Sequence, residues 1–168
     1  MHIFTKILVH INQYCVYASA LFMGSMAVIV FYDVITRYIL NSPSIWANEV
    51  ATYFMQFIVF FTMGFLHLGR KHLRVTFFIE NLKGNTRKLM ETITDLLIIP
   101  YAFVLVIYGY NLAEHAFNLG MTSPTLLAVP LWIPYSFIFI GGGLLISATI
   151  FSIVTIWMPS LVERGKIN

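Results

Sequence analysis

Four long stretches of this chain contain no Asp, Glu, Lys or Arg: residues 7–32, 50–69, 96–113 and 115–162. The hydrocarbon core of a bilayer is about 30 Å thick, and a helix needs roughly 20 residues to cross it. Each stretch is close to that length or longer, and the charged residues between them come in short clusters. The pattern therefore predicts an all-α integral membrane protein with four transmembrane helices.

The length of the chain leaves room for little else. Of the 168 residues, 59% are hydrophobic and only 10% are charged, whereas about a quarter of a soluble domain is charged. The basic residues that give the chain its net charge of +3 lie next to the predicted membrane spans. We therefore expect no nucleic acid partner. We expect a single membrane domain over residues 1–168, with spans at about 8–36, 44–68, 86–116 and 131–157.

The connection between the second and third spans has a different pattern. Its apolar residues recur at helical spacing among polar ones, which is typical of a short amphipathic helix lying in the membrane interface. We expect this interfacial helix at about 74–82. Six basic residues lie within or near it, and they are candidates for contact with anionic lipids of the inner leaflet: Arg70, Lys71, Arg74, Lys83, Arg87 and Lys88.

The distribution of Lys and Arg predicts the orientation of the chain. Nine of these residues lie near the two termini or in the 70–88 segment, and only Arg37 lies on the other side of the predicted membrane. Cytoplasmic loops carry an excess of Lys and Arg in membrane proteins. We therefore expect both termini in the cytoplasm, the N-in/C-in arrangement.

Ionisable residues avoid the middle of every predicted span. Asp33, Arg37 and Glu49 lie toward the outer ends of their spans, and Glu91 and Asp95 lie toward the inner end of the third. Channels, pumps and ion-coupled carriers usually place such groups near the bilayer midplane. The chain is therefore poorly equipped to carry a solute alone, and a small drug exporter, which needs a mid-membrane carboxylate, is disfavoured.

Two sets of residues are candidates for a structural role or for contact with a partner. Asp33 and Arg37 are four residues apart, so they share a helix face and can pair. Glu49 can also reach Arg37 across the first loop, and Trp46 lies at the level of an interfacial aromatic belt. In the fourth span, small residues let another helix approach closely, either within the bundle or from a partner: Gly141, Gly142, Gly143 and Ser147.

Enzymatic and cofactor-binding motifs are missing from the sequence. There is no G-x-S-x-G, P-loop, G-x-G-x-x-G or H-E-x-x-H pattern, so we expect no catalysis, cofactor or metal. One alternative remains open, a haem b-binding membrane anchor of a redox complex. His10 and His67 fall near the same side of the first two spans, as axial ligands would. Otherwise they are interfacial histidines bonded to water or backbone.

Several short segments, in a fixed order, resemble one known family. Asp33-Val-Ile-Thr-Arg37-Tyr38 ends the first span, and Trp46-Ala-Asn-Glu49 opens the second. The second span is followed by GRKHLRV, and Ser123-Pro124 and then VPLWIPY lead into the fourth span and its glycine run. With these segments the chain is similar to the small membrane subunit of tripartite ATP-independent periplasmic (TRAP) transporters, the DctQ-like family.

The resemblance implies an accessory permease subunit in the bacterial cell inner membrane. Such subunits pair with a large multi-span membrane subunit, the M subunit, which holds the substrate and sodium sites and moves as an elevator. A soluble periplasmic substrate-binding protein, the P subunit, docks transiently and delivers an organic acid such as a C4-dicarboxylate or sialic acid. By this resemblance the small subunit has no transport site and supports the static scaffold of the large one.

Overall fold

The computed structural model describes residues 2–68 and 85–157, with side chains from His10 in the first helix and from Thr86 in the third. Within these ranges the chain forms four helices and no β-strand. All four are long and apolar enough to cross a membrane, so the predicted all-α fold with four spans is confirmed. The helices are α1 (His2–Tyr38), α2 (Ala47–Leu68), α3 (Asn85–Asn118) and α4 (Trp132–Trp157).

Helix α2 begins three residues later than the sequence predicts, because the first loop is tied to α1. The backbone N–H and the hydroxyl of Ser44 both donate to the carboxylate of Asp33. Ser44 is therefore held at the end of α1 and is not part of the first turn of α2. The first turn closes instead with the N–H of Val50 donating to the carbonyl of Trp46 at 3.1 Å.

The helices pack side by side in the order α1, α2, α4, α3. Aromatic rings fill the contacts among the first three of these. Phe22 of α1 lies 4.7 Å from Phe54 and 4.5 Å from Phe57 of α2, measured between ring centroids. Phe57 and Phe61 in turn lie 5.5 and 5.8 Å from Phe137 of α4. The helices α1 and α3 therefore occupy the two ends of the order.

Two adjacent glycines let α4 pass closely between α2 and α3. A Cβ atom on Gly141 would lie 2.6 Å from both Cβ and the carbonyl oxygen of Phe60 in α2. A Cβ atom on Gly142 would lie 3.0 Å from Cγ2 of Val106 in α3. A Cβ on Gly143, by contrast, would meet nothing within 4 Å. Small residues thus bring three helices together at Gly141 and Gly142, in the manner of close membrane helix packing.

The loop of residues 119–131 between α3 and α4 folds as a short hairpin. The N–H of Ser123 donates to the carbonyl of Val129 at 2.9 Å, and that of Leu131 donates to Met121 at 3.0 Å. Gly120 turns the chain out of α3 with a φ of 59°, which glycine adopts without steric cost. Part of the backbone of this uncharged loop is thereby hydrogen-bonded internally, as a site poor in water requires.

Polar residues mark the two ends of the bundle. We call the end that holds the loops 39–46 and 119–131 the loop end, and the end where Leu68 and Trp157 lie the basic end. Glu49 near the loop end and His67 near the basic end are 18 residues apart on α2. That is about 27 Å of helix, close to the thickness of the hydrocarbon core.

Some of the predictions concern residues outside the ranges that the structure describes. The predicted interfacial helix at 74–82 lies outside the described residues, and so do four of the six candidate lipid-contact residues. The cytoplasmic placement of both termini and the organisation as a single domain stay predictions. The four candidates outside the described residues are Arg70, Lys71, Arg74 and Lys83.

Candidate functional site

The end of α1 and the first loop form a small polar cluster at the loop end. Nη2 of Arg37 lies 2.7 Å from Oδ2 of Asp33, so the predicted pair is present, and the same carboxylate also accepts from Ser44. The side chain of Arg37 is half exposed, and exposed ion pairs contribute little to stability. Trp46 stacks on Tyr32 with ring centroids 5.8 Å apart. Together these contacts clamp the first loop onto α1.

Glu49 is hydrogen-bonded to the other loop, residues 119–131. Its carboxylate accepts hydrogen bonds from the hydroxyl of Tyr53 at 2.7 Å and from the hydroxyl of Thr125 in the 119–131 loop. Oγ of Ser123 shares a hydrogen bond of 2.9 Å with Oγ1 of Thr125. The prediction that Glu49 reaches Arg37 is wrong, because hydroxyl groups of its own helix and of the second loop surround the carboxylate. Glu49 thus joins the first turn of α2 to the α3–α4 loop.

The four small residues predicted as an interface divide into two groups. Gly141 and Gly142 are buried against α2 and α3, so they serve packing within the chain. Gly143 is exposed. The hydroxyl of Ser147 donates to the carbonyl of Leu144 at 2.8 Å, within α4. Of the four, Gly143 therefore leaves the most room for another helix, and its role in partner contact stays a prediction.

The structure contains a polar junction at the basic end that the sequence analysis missed. Nε2 of His67 lies 3.6 Å from Oδ1 of Asp95, and the hydroxyl of Ser152 donates to Oδ2 of Asp95 at 2.7 Å. The exposed fractions are 1% for the side chain of His67 and 0% for that of Asp95. The side chain of His67 is therefore buried between helices beside a carboxylate, an environment that the sequence interpretation did not include. The three residues join α2, α3 and α4.

Two histidines that could have held a haem have different surroundings. His67 is buried beside Asp95. His10 is exposed and lines a surface groove with Gln13, Tyr14 and Tyr17. They do not form a matched pair of inward-facing ligands, and nothing in the described residues supports the haem alternative.

The beginning of α3 carries the two described members of the predicted lipid-contact set. Nε of Arg87 donates to Oε1 of Glu91 at 3.1 Å, and Glu91 is buried. Lys88 is exposed. The indole N–H of Trp157 donates to the hydroxyl of Thr92 at 3.1 Å and ties the end of α4 to α3. Contact of Arg87 and Lys88 with lipid stays a prediction.

The sequence model of a known family matches most of this chain. The family is described as "Tripartite ATP-independent periplasmic transporters, DctQ component", and the match covers residues 26–158. That range holds the last part of α1 and the whole of α2, α3 and α4. The resemblance seen in the short sequence segments is thereby confirmed.

Two curated relatives come from Vibrio cholerae serotype O1. The sialic acid TRAP transporter small permease protein SiaQ is 23% identical over 119 residues, which cover 68% of this chain and 65% of that protein. The C4-dicarboxylate TRAP transporter small permease protein DctQ is 27% identical over 92 residues, which cover 55% of this chain and 40% of that protein. The matches thus span under two thirds of each relative.

The fold agrees with these comparisons, since its four helices are all long and apolar enough to span a membrane. Members of the matching family are components of transport systems rather than enzymes. The chain belongs to the DctQ component family of the tripartite ATP-independent periplasmic transporters, as a multi-pass inner-membrane protein.

Proposed function

We propose that this chain is the small permease subunit of a sodium-driven TRAP transporter that imports an organic acid. Membership of the DctQ component family supports this role. The substrate class we propose, sialic acid or a C4-dicarboxylate, follows the printed names of the two relatives. The resemblance implies that the pocket selecting the acid, and the sodium sites, belong to the large membrane subunit.

The observation that carries the accessory role is the distribution of polar groups along the helices. Asp33 and Glu49 at the loop end and Asp95 at the basic end all hold contacts within the chain. The stretches 50–69 and 96–113 between these ends contain no Asp, Glu, Lys or Arg. A solute or ion path normally requires ionisable groups at that depth. A chain built in this way is suited to support a carrier rather than to act as one.

In the proposed complex the helices pack on the static scaffold of the large subunit. The side-by-side order α1, α2, α4, α3 gives the chain broad apolar surfaces, and large side chains on α1 and α3 are exposed there. In a bilayer such surfaces are covered by lipid or by another membrane subunit. We propose that this added area keeps the scaffold still while the transport domain of the large subunit moves.

The membrane orientation belongs to the same proposal. With both termini in the cytoplasm, the loop end faces the periplasm, where the substrate-binding protein docks transiently. The basic residues around the 70–88 segment then lie at the inner leaflet, where each Lys or Arg near anionic lipid contributes about 1 kcal/mol of attraction. Arg87 and Lys88, at the beginning of α3, would take part in this contact.

Co-purification tests the proposed pairing. We expect a tagged large subunit to retain this chain, and we expect Gly143→Trp to weaken the association because Gly143 faces open space on α4. Gly24→Trp is the matched control, since a Cβ on Gly24 of α1 also meets nothing within 4 Å. Full association with Gly143→Trp would remove Gly143 from the interface without affecting the pairing itself, whereas equal loss with both variants would place Gly24 and Gly143 in it together.

Deletion tests the proposed function. Cells that produce the large subunit and the binding protein without this chain should lose uptake of the organic acid, and a plasmid copy should restore it. Uptake at the full rate without this chain would contradict an essential supporting role. A haem absorption band in the purified chain would instead favour the redox anchor.

A further inference from the structure

The loop between α3 and α4 has an unusually exposed apolar tip. Leu126 is 81% exposed, the highest value among the large hydrophobic side chains of the described residues, and the neighbouring Leu127 is 42% exposed. Removal of a leucine side chain from water is favourable, so this pair would gain free energy by contact with an apolar surface. The tip is therefore suited to contact an apolar surface, either in the membrane or on another protein.

Hydrogen bonds fix the position of the tip. Thr125 donates to Glu49, which lies in the first turn of α2. Ser123 bonds both to Thr125 and to the backbone of Val129, which closes the hairpin beneath the tip. Leu126 is thus held as an ordered projection at the loop end, close to the point where α2 begins.

The surroundings of the tip have the character of a membrane interface. Residues 115–131 contain no Asp, Glu, Lys or Arg. Trp46, just before α2, and Trp132, at the beginning of α4, are both partly exposed at this end of the bundle. Tryptophan side chains are enriched at the level of the lipid headgroups. The tip therefore lies at the end of the bundle where both tryptophans are also found.

We propose that Leu126 and Leu127 insert into the headgroup and acyl boundary of the lipid leaflet at the loop end, as a second anchor beside the four spans. Transient protein interfaces carry a polar rim and several direct hydrogen bonds, whereas this tip presents two leucine side chains above a hairpin that is closed by the backbone bonds of Ser123 and Leu131. The headgroup and acyl boundary suits it because the leucine side chains gain by leaving water, while the backbone of the tip stays at the level of water and polar headgroups that can bond it.

A single spin label can measure the depth of the tip. Cys15 is the only cysteine, so Leu126→Cys in a Cys15→Ser background gives one label on the full chain. The protein is reconstituted in vesicles of phosphatidylethanolamine and phosphatidylglycerol. The label's accessibility to oxygen, which concentrates in lipid, is compared with its accessibility to a water-soluble nickel complex. Ser42→Cys, at an exposed polar position in the first loop, is the control for water, and Val28→Cys, at a 68% exposed position of α1, is the control for lipid.

We expect the oxygen-to-nickel ratio at Leu126 to be several-fold higher than at Ser42 and to approach that at Val28. A ratio equal to that at Ser42 would overturn the proposal. A ratio that rises only when a soluble binding protein is added would also overturn it, because the tip would then be a protein docking site. Leu126 buries little of its surface, so its replacement removes little packing. Slow reaction of the unlabelled Leu126→Cys variant with a water-soluble maleimide gives an independent check.

Discussion

The two ends of the bundle are built differently although both carry carboxylates. At the loop end, Asp33 and Glu49 bind partners close in sequence or on loops, and Arg37 at its surface is half exposed. At the basic end, Asp95 is fully buried and is bonded by Ser152 from another helix. The loop end fixes connections, whereas the basic end joins three helices to each other. The stability of the bundle should therefore depend more on the basic end.

Removal of the buried carboxylate should have the largest effect. Asp95→Ala leaves His67 and Ser152 without their shared partner, and we expect it to lower the free energy of unfolding by about 3 kcal/mol. Ser152→Ala is the matched control and removes one hydrogen bond, at a cost of about 1 kcal/mol. Denaturant titration in mixed micelles measures both. If Asp95→Ala costs no more than Ser152→Ala, the comparison between the two ends fails.

The contact of α4 with α2 and α3, between the two ends of the bundle, should be the next most sensitive to substitution. Gly141→Ala puts a Cβ 2.6 Å from Phe60, and overpacking of this kind costs about 1–3 kcal/mol. Gly143→Ala should be neutral or slightly stabilising, because nothing lies within 4 Å of its Cβ and alanine favours a helix. The same titration compares them. Equal effects would mean that α4 does not pass between α2 and α3 as described.

A smaller and more local effect is expected from the hydroxyl that joins the second loop to α2. Thr125→Val removes the bond to Glu49 and keeps the size of the side chain. We expect severalfold faster hydrogen exchange at the amides of Ser123 and Leu131, with little change in global stability. Thr122→Val, on the exposed side of the same loop, is the control. Global unfolding by Thr125→Val would make the loop end as important as the basic end.

The smallest effect should come from the surface pair. Arg37→Gln breaks an exposed ion pair that contributes little in water, and Asp33 keeps its bonds from Ser44. We expect the denaturation midpoint to stay within experimental error at moderate salt concentration. A shift comparable to that of Asp95→Ala would contradict the distinction between an ion pair with a half-exposed arginine and the buried carboxylate of Asp95.

How much of the fold and of the candidate site could be predicted from the sequence depends on how far apart the interacting residues are along the chain. Charge-free stretches predict the four helices, because the bilayer sets their length. The pair of Asp33 and Arg37 follows from helical spacing. Both depend on local sequence alone, and the structure contains both.

Contacts between distant residues could not be predicted in the same way. Asp95 and Ser152 are 57 residues apart, and Glu49 and Thr125 are 76 apart. Hydropathy gives the depth of each residue but not the rotation of its helix or which helices are neighbours. A depth match between His67 and Asp95 was available as a signal, yet the same reasoning offered His67 and His10 as equally plausible neighbours. The order in which helices pack decides between them.

Reconstitution distinguishes the proposed supporting role of this chain from a transport site of its own. Vesicles with a sodium gradient would receive this chain alone, the large subunit alone, or both, each with the binding protein loaded with the organic acid. We expect accumulation with both subunits, much reduced or no accumulation with the large subunit alone, and none with this chain alone. Sodium-driven accumulation by this chain alone would contradict the proposed supporting role.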